Sequence, residues 1–567
     1  MKTENPNPGS KEPRLWPGVV IAIFTIIIRY LVPLIDPSLM IVSFFGGIAG
    51  GIFTILWWLF FSRVPWFDRL AGTGLLIVTL FITSRFVDES IARANMGLMF
   101  WLFSIPVAAI FFILWAVFSA KFNIRLRRIT MLAVIILSTA PWICLRTNGM
   151  DGNGGQYFDW RWASTYEERV LAEKETAGTI STPVDSVIVE ASWPGFRGPY
   201  RDGIARGVRI NSDWSKAPKE LWRKDIGPGC GSFAVMGNHI FTQEQRGENE
   251  AVSCYELSSG KLVWMHTDKA RFYEPHAGAG PRSTPALAGN RVYTLGATGI
   301  LNALDAASGK AIWTRNTAED TGVKTPDWGF CGSPLVVNDL VIASVSGKLA
   351  AYGCEDGTPR WKGEDGGECY TSPQLFKVNG KDQVVFMSDS GAVSVDPESG
   401  TKLWDYKWKC QGRILQAAMV EDGIFMLTNE NSSIKKLSVT NTDTTWTVKD
   451  IWDSPQVKAY FNDFTLNKGY AYGYDGPTMT CTDLKTGKTM WRGNRYRGFD
   501  ILFPEQDLIV ILTEKGEVAV VKADPSKFTE LIRFKALNGR TWNHPALARS
   551  TLLVRNDREM AAYSIAD

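Results

Sequence analysis

The chain has little histidine, no adjacent cysteines and almost no excess charge. Its four histidines, His239, His266, His276 and His544, are not spaced as a local zinc motif requires. The eight cysteines are scattered, with no Cys-x-x-Cys and no Cys-x-x-Cys-His haem-attachment run. Seven of them lie beyond the apolar N-terminal region, and an odd number in an oxidising compartment leaves at least one thiol unpaired. A net charge of +3 over 567 residues is far from the concentrated basic surface of a nucleic-acid binder, so nucleic acid is excluded as the main partner.

What the chain does have is two unlike parts, since 567 residues are too many for one ordinary domain. After a tail of residues 1–15, residues 16–145 are strongly apolar and hold five runs: Trp16–Ile35, Leu39–Ser62, Leu70–Phe86, Met96–Ser119 and Ile129–Leu145. Each is near the ~20 residues a helix needs to cross a bilayer. The first is not a cleavable signal peptide, because the polytopic region continues directly after it. Arg29 and Arg85, near run ends, are expected to snorkel to the interface as anchors. Gly46, Gly47, Gly50 and Gly51 would allow helices to approach closely. Trp57, Trp58, Trp66, Trp101 and Trp142 suit interfacial or core positions. With the N-terminus inside, the inner stretches hold Lys2, Lys11, Arg14, Arg63, Arg69, Lys121, Arg125, Arg127 and Arg128, against Arg85 and Arg93 outside. That asymmetry predicts an inner-membrane, multi-pass anchor with everything after Leu145 on the far side of the cytoplasmic membrane. No paired intramembrane charges are evident, which argues against coupled transport.

Residues 146–192 read as a linker. Asp151–Gly155 is turn-rich. Trp160 and Trp162 could sit in a headgroup layer, Ser164 with Glu167 fits a capping box for a short helix, and Ser181–Ser192 reads as an extended lead.

From residue 193 to 567 the sequence repeats roughly every 40–50 residues. Each unit has a β-run, a tight turn, a second β-run, the segment Leu-Asp-x-x-Ser/Thr-Gly-Lys, and a β-run ending in Trp. The clearest copy runs from Arg291 to Trp313. Others end at Trp264, Trp361, Trp404 and Trp491; one near Trp452 is degraded, and one ends in Ile532-Arg533-Phe534. A single four-stranded sheet cannot bury both faces, whereas a ring of such sheets buries them against one another. The Asp/Gly turn closes the hairpin between third and fourth strands, and the terminal Trp fills space between sheets. The count is eight units. The last stops at the third strand, and its missing fourth strand is assigned to Lys219–Lys224 around Trp222, closing the ring. The expected fold is therefore five transmembrane helices followed by an all-β, eight-bladed propeller.

The repeat resembles that of the pyrroloquinoline-quinone (PQQ) type propellers, a family that includes PQQ-dependent alcohol and glucose dehydrogenases and the outer-membrane assembly scaffold BamB. The resemblance covers roughly residues 193–567. The opening Trp193-Pro-Gly-Phe-Arg-Gly-Pro-Tyr-Arg-Asp-Gly203 resembles the start of many bacterial PQQ-like proteins, and the helices-plus-propeller layout is similar to that of membrane-bound glucose dehydrogenase. A quinoprotein dehydrogenase of this family would place PQQ on the propeller axis, with an adjacent-Cys disulfide, a Trp floor, calcium on carboxylate and amide oxygens, and an Asp base. The Cys pair is absent, and no calcium-ligand set or base matches a family motif.

In a propeller the starts of the innermost strands gather around the axis. This places Cys230, Arg282, Cys331, Tyr370, Arg413, Asp463, Asp500 and His544 near one mouth, with Gln243-Glu244-Gln245-Arg246 added by a turn of the first unit. Such groups could bind a polar ligand or act in acid/base chemistry; equally, they could bond one another and close a channel. Cys254, Cys354 and Cys481 are read as packing residues at the third-strand position. Two functions follow: a membrane-anchored binding or scaffold module for protein, polysaccharide or a small ligand, or a membrane quinoprotein dehydrogenase that oxidises a sugar or alcohol, with PQQ and calcium, and passes electrons to quinone. Metal ligands are not expected from the sequence.

Overall fold

A computed structural model describes residues 13–36, 39–152, 154–172, 190–410, 412–429, 432–442 and 445–566. Lys2, Lys11 and the 181–189 portion of the extended lead lie outside the described residues. Contacts divide the chain into two units, Met1–Ser164 with Pro275–Ala277, and Thr165–Glu274 with Gly278–Asp567.

The first unit holds five helices long and apolar enough to cross a membrane: Trp16–Ile35, Met40–Phe61, Trp66–Ser84, Met99–Lys121 and Ile124–Cys144. The third and fifth begin before the expected Leu70 and Ile129, because polar first turns (Asp68 and Arg69; Arg125, Arg127 and Arg128) are already helical. Pro33 removes one backbone donor near the end of the first helix, and the five residues before it, Ile27–Leu31, adopt π spacing. The glycines of the second helix are contact points. A Cβ at Gly46, Gly50 or Gly51 would lie 2.1–2.3 Å from Ile28, Thr25 or Ile105, so these two neighbouring helices approach at distances only glycine permits. Trp57 and Trp58 are core residues packed with Phe112 and Trp115, while Trp66 is exposed.

Arg29 departs from the expected interfacial anchor. Its side chain is buried, with the guanidinium against the rings of Phe44 and Phe103 at 4.7 Å. It is tied into the bundle by cation–π attraction instead of snorkelling. The helices also carry one charge pair that hydropathy did not reveal, Asp68 with Arg128 at 2.6 Å, joining the first turns of the third and fifth helices. After the fifth helix comes a hairpin, Leu145–Met150 with Gln156–Trp160, whose turn is closed by the Asp151 carboxylate accepting from Gly155 N–H (2.9 Å). Trp160 and Trp162 stack at 5.1 Å and are exposed.

The second unit begins with a short helix, Tyr166–Ala172. Its capping box is one residue later than expected. Thr165 and Glu168 satisfy one another's backbone N–H groups (2.9 and 2.7 Å), which frees Glu167 to pair with Arg271 at 2.7 Å. Eight four-stranded antiparallel sheets follow. Blades 1 to 7 span residues 234–268, 286–316, 335–362, 374–407, 418–454, 465–495 and 499–535; blade 8 joins residues 546–564 to Lys219–Asp225. In that closing sheet Trp222 faces Ala562 and Lys224 faces Met560, so the ring closes through the predicted strand and leaves no open edge between first and last blades.

One device repeats between blades. The fourth-strand Trp pairs across the sheet with a small residue, Cys254 for Trp264 and Ala303 for Trp313. Its indole N–H crosses to the next blade and donates to a carbonyl one or two residues past the third strand: Trp264 to Ala306 (3.0 Å), Trp313 to Cys354 (2.9 Å), Trp491 to Asp524 (2.8 Å). The degraded copy keeps it, Trp452 donating to Leu484 at 3.1 Å. The turn glycine of that next blade lies under the ring: a Cβ on Gly309 would sit 2.4 Å from Trp264, and its φ of +72° suits glycine. Trp404 differs, donating within its own blade to Gln383 (2.8 Å). All eight cysteines are free; Cys254 and Cys481 pack on third strands as expected, whereas Cys354 lies just past its strand.

Candidate functional site

Residues 193–205 form no regular element, yet they bond to the innermost strands around most of the ring. Val235 N–H donates to Trp193 O (2.7 Å) in blade 1, and Leu287 N–H to Pro194 O (2.7 Å) in blade 2. Arg201 donates to Ser333 O (3.0 Å) and Pro334 O (2.8 Å), which lead into blade 3. Arg197 donates to Phe464 O (2.7 Å) before blade 6. Ala205 N–H and Leu502 N–H complete parallel bonds with blade 7 (2.8 and 2.9 Å). A segment touching strands on opposite sides of a ring crosses its axis. The Trp193–Gly203 motif is thus an axial plug. Arg197 and Arg201 both hold left-handed backbone, φ +57° and +56°, a conformation costing on the order of 1–2 kcal/mol for a side-chain-bearing residue. Arg-Gly at 197–198 and Arg-Asp-Gly at 201–203 are how the chain turns inside the ring.

Where the plug meets blades 6, 7 and 8, a buried charged cluster forms. Asp463 sits between Arg197 (3.5 Å) and His544, whose Nε2 lies 2.7 Å from the carboxylate. Burial favours neutral imidazole and outweighs the bond to Asp463, so the His544 pKa falls; the neutral ring then donates Nε2–H to Asp463. Burial also opposes the Asp463 charge, but Arg197 and His544 more than offset it and hold its pKa low. The imidazole is clamped by the rings of Phe499 (4.1 Å) and Phe196 (5.1 Å). Asp500 lies beside this pair with one oxygen accepting from Tyr474 OH (2.6 Å) and Oδ2 buried without a partner. Burial pushes its pKa up to about 7, against the pull of Tyr474 and Arg197. Asp463, Asp500 and His544 are therefore brought together. Arg197 completes the set and was absent from the sequence-based site; its place in an opening motif rather than at a strand start hid it.

The other candidate residues fall into separate local groups. Glu244 and Arg246 lie inside blade 1 at 3.0 Å, where Glu244 also accepts from Gly227 N–H (2.6 Å), Ser253 (2.6 Å) and Tyr255 (2.5 Å). Arg555 of blade 8 reaches Thr242, the Gln243 carbonyl and the Gly227 carbonyl, so this group ties the last blade to the first. Arg282 donates to Gly278 O (2.7 Å), faces Glu274 (3.4 Å) and touches Cys230 Sγ (3.4 Å); Cys331 is close enough to feel its charge. Tyr370 bonds Glu368 and stacks on Trp328 at 4.7 Å. Arg413 is fully buried and donates to the carbonyls of Ser388 (2.7 Å), Trp408 (2.7 Å) and Thr428, a strut between blades 4 and 5.

A bound quinone with calcium would need an open axial slot and a set of oxygen donors. The plug crosses the axial space. Among the described residues no three His, Cys, Asp or Glu side chains converge as a cation site, and Asp463 is committed to Arg197 and His544. The residues present do not fit that group.

Comparison with known proteins agrees with this geometry at the level of the repeat. Residues 215–364 match the family model described as outer membrane protein assembly factor BamB. The chain is similar to BamB of Shewanella oneidensis, 24% identical over 294 residues, covering 48% of this chain and 71% of that protein. It is also similar to BamB of Escherichia coli, 32% identical over 91 residues, covering 16% and 23%. Among solved structures, quinohemoprotein alcohol dehydrogenase from Comamonas testosteroni aligns with a TM-score of 0.50 at 14% identity, over 66% of this chain and 80% of that one; this likeness concerns fold alone. Repeat, blade closure and these matches together make the propeller of this chain similar to the PQQ-type propellers.

Proposed function

We propose that this protein is a membrane-anchored interaction scaffold, its five helices holding in the cytoplasmic membrane a propeller that projects on the extracytoplasmic side and binds a protein or polysaccharide partner. The observation that carries this reading is the plug: the chain's own Trp193–Ala205 segment crosses the axis of the ring and bonds to innermost strands on opposite sides. BamB, an assembly factor by name, supports the scaffold class, since its repeat is the one matched here. The orientation rests on the excess of lysine and arginine in the stretches assigned to the inside.

The rival reading is a quinoprotein dehydrogenase, and the test separates the two. Purified full-length protein, supplied with PQQ and calcium, is assayed for dye reduction across a panel of alcohols and aldoses. The scaffold reading expects none above background; PQQ-dependent turnover of any member overturns it. Orientation is tested in spheroplasts with a membrane-impermeant amine reagent, which should label lysines of the propeller without lysis. Labelling only after lysis would reverse the assignment.

A further inference from the structure

The plug leaves a cavity on one side. About 680 Å³ lies between residues 197–206 and the innermost strands of blades 3 to 6, within the range of small-molecule and peptide-end pockets. Much of its wall is apolar, including Leu335, Val336, Phe376, Met419 and Phe464.

Its charges do not balance. Arg197 faces Asp463 (3.5 Å), Arg206 pairs with Asp202 (2.6 Å), and Lys377 at the rim pairs with Asp382 (2.8 Å). Among the described residues Arg201 has no carboxylate partner. It donates to the Ser333 and Pro334 carbonyls and lies over the Phe196 ring at 5.5 Å, and its Nε has no hydrogen-bond partner there. Burial pulls its pKa down to about 9 with no acidic neighbour to offset the effect. Gln374 lines the same cavity, only 3% exposed, and its Nε2 also has no partner. Leaving buried donors unmatched is costly, more so for a charged one.

One positive charge with no carboxylate partner among the described residues, set in apolar walls, describes the complement of a singly charged anion with a hydrophobic body. A phosphate dianion would overshoot the charge by one. We propose that this cavity binds a monocarboxylate carried on an apolar body, with the Arg201 guanidinium as its counter-charge and Gln374 in the wall beside it. A small aryl or alkyl acid and the C-terminus of a peptide ending in a hydrophobic residue share this chemistry. The assignment deepens the scaffold reading and rests on it for treating the propeller as a binding module.

The test is calorimetric titration of the full-length protein in detergent with four probes: phenylpropionate, phenylpropionamide, and the peptide Ala-Ala-Ala-Phe with free or amidated C-terminus. The free acids should bind, and each amide should bind at least about tenfold more weakly, equivalent to about 1.4 kcal/mol. Tighter binding of the free peptide than of phenylpropionate assigns the site to chain ends; the reverse order assigns it to small acids. Arg201→Gln should abolish binding, but it also loosens the plug. The deciding variant is therefore Gln374→Glu, which supplies an internal carboxylate to Arg201; it should lose binding while its melting temperature holds or rises. Equal binding of acids and amides, unchanged binding by Gln374→Glu, or no binding of any probe overturns the assignment. Those results leave the scaffold reading intact, whereas PQQ-dependent dye reduction would remove that reading whatever the titration gave.

Discussion

Glu244 and Asp500 are both buried carboxylates of the propeller, and the chain treats them in opposite ways. Glu244 is surrounded by donors: Arg246, Ser253, Tyr255 and the Gly227 N–H. Burial alone would raise its pKa, but Arg246, the two hydroxyls and Arg555 outweigh it, and the pKa falls. Asp500 has a single hydroxyl bond and an unmatched oxygen, and burial pushes it up to about 7. The first is the ionic knot of the ring closure. The second is an incompletely satisfied group next to the plug, where its protonation responds to ordinary changes of pH. A buried charge in this molecule is thus structural where its donors are complete and responsive where they are not.

Removing the charge from the first group should have the largest effect. Glu244→Gln removes this carboxylate from beside the buried Arg555, and the propeller should lose roughly 3–5 kcal/mol, read by denaturant unfolding. A loss below ~1 kcal/mol would show that the knot is not what closes the ring. The pH dependence should differ in sign between the two groups. The folded pKa of Glu244 lies below its unfolded value, so its contribution is present above that unfolded value and fades as pH falls through the folded one. The folded pKa of Asp500 lies above its unfolded value, so its contribution is full below the unfolded value and is lost as pH rises through about 7. Asp500→Asn should therefore flatten the decline in stability between pH 6 and 8, chosen to bracket that value, and stabilise the protein at the upper end by roughly 1–3 kcal/mol. An unchanged slope would mean that Asp500 does not titrate there. The smallest effect belongs to a half-buried cap: Thr165→Ala should cost about 1 kcal/mol in local stability of the Tyr166–Ala172 helix, seen as faster amide exchange confined to that segment.

Much of the fold was legible in the sequence because it is periodic. The repeated Trp and the Asp-x-x-Ser/Thr-Gly turn report a local hairpin and its contact with the next blade. Eight blades and the closing strand at Trp222 follow from counting them. The plug was not legible. Trp193–Ala205 has no period, and its partners, from Val235 to Leu502, lie up to ~300 residues away in sequence, so nothing local marks its path. Asp463, Asp500 and His544 could be gathered from their positions before innermost strands, but Arg197 could not, because it arrives on the plug. Gln243-Glu244-Gln245-Arg246 misled in another way. So many polar residues suggest a solvated turn, yet they occupy a buried strand that Arg555 reaches from blade 8. The burial of Arg29 was hidden for the same reason, since Phe44 and Phe103 reach it from other helices.

The plug is the point on which the account turns, and amide hydrogen exchange on the full-length protein in detergent tests it directly. The N–H groups of Gly203 and Ala205 bond to Arg197 O (2.9 Å) and Leu502 O (2.8 Å). They should exchange as slowly as those of the innermost strand Phe499–Phe503. Exchange of residues 193–205 at the rate of an exposed loop would mean that the axis is open, and would contradict the reading of this propeller as one whose own chain crosses its axis.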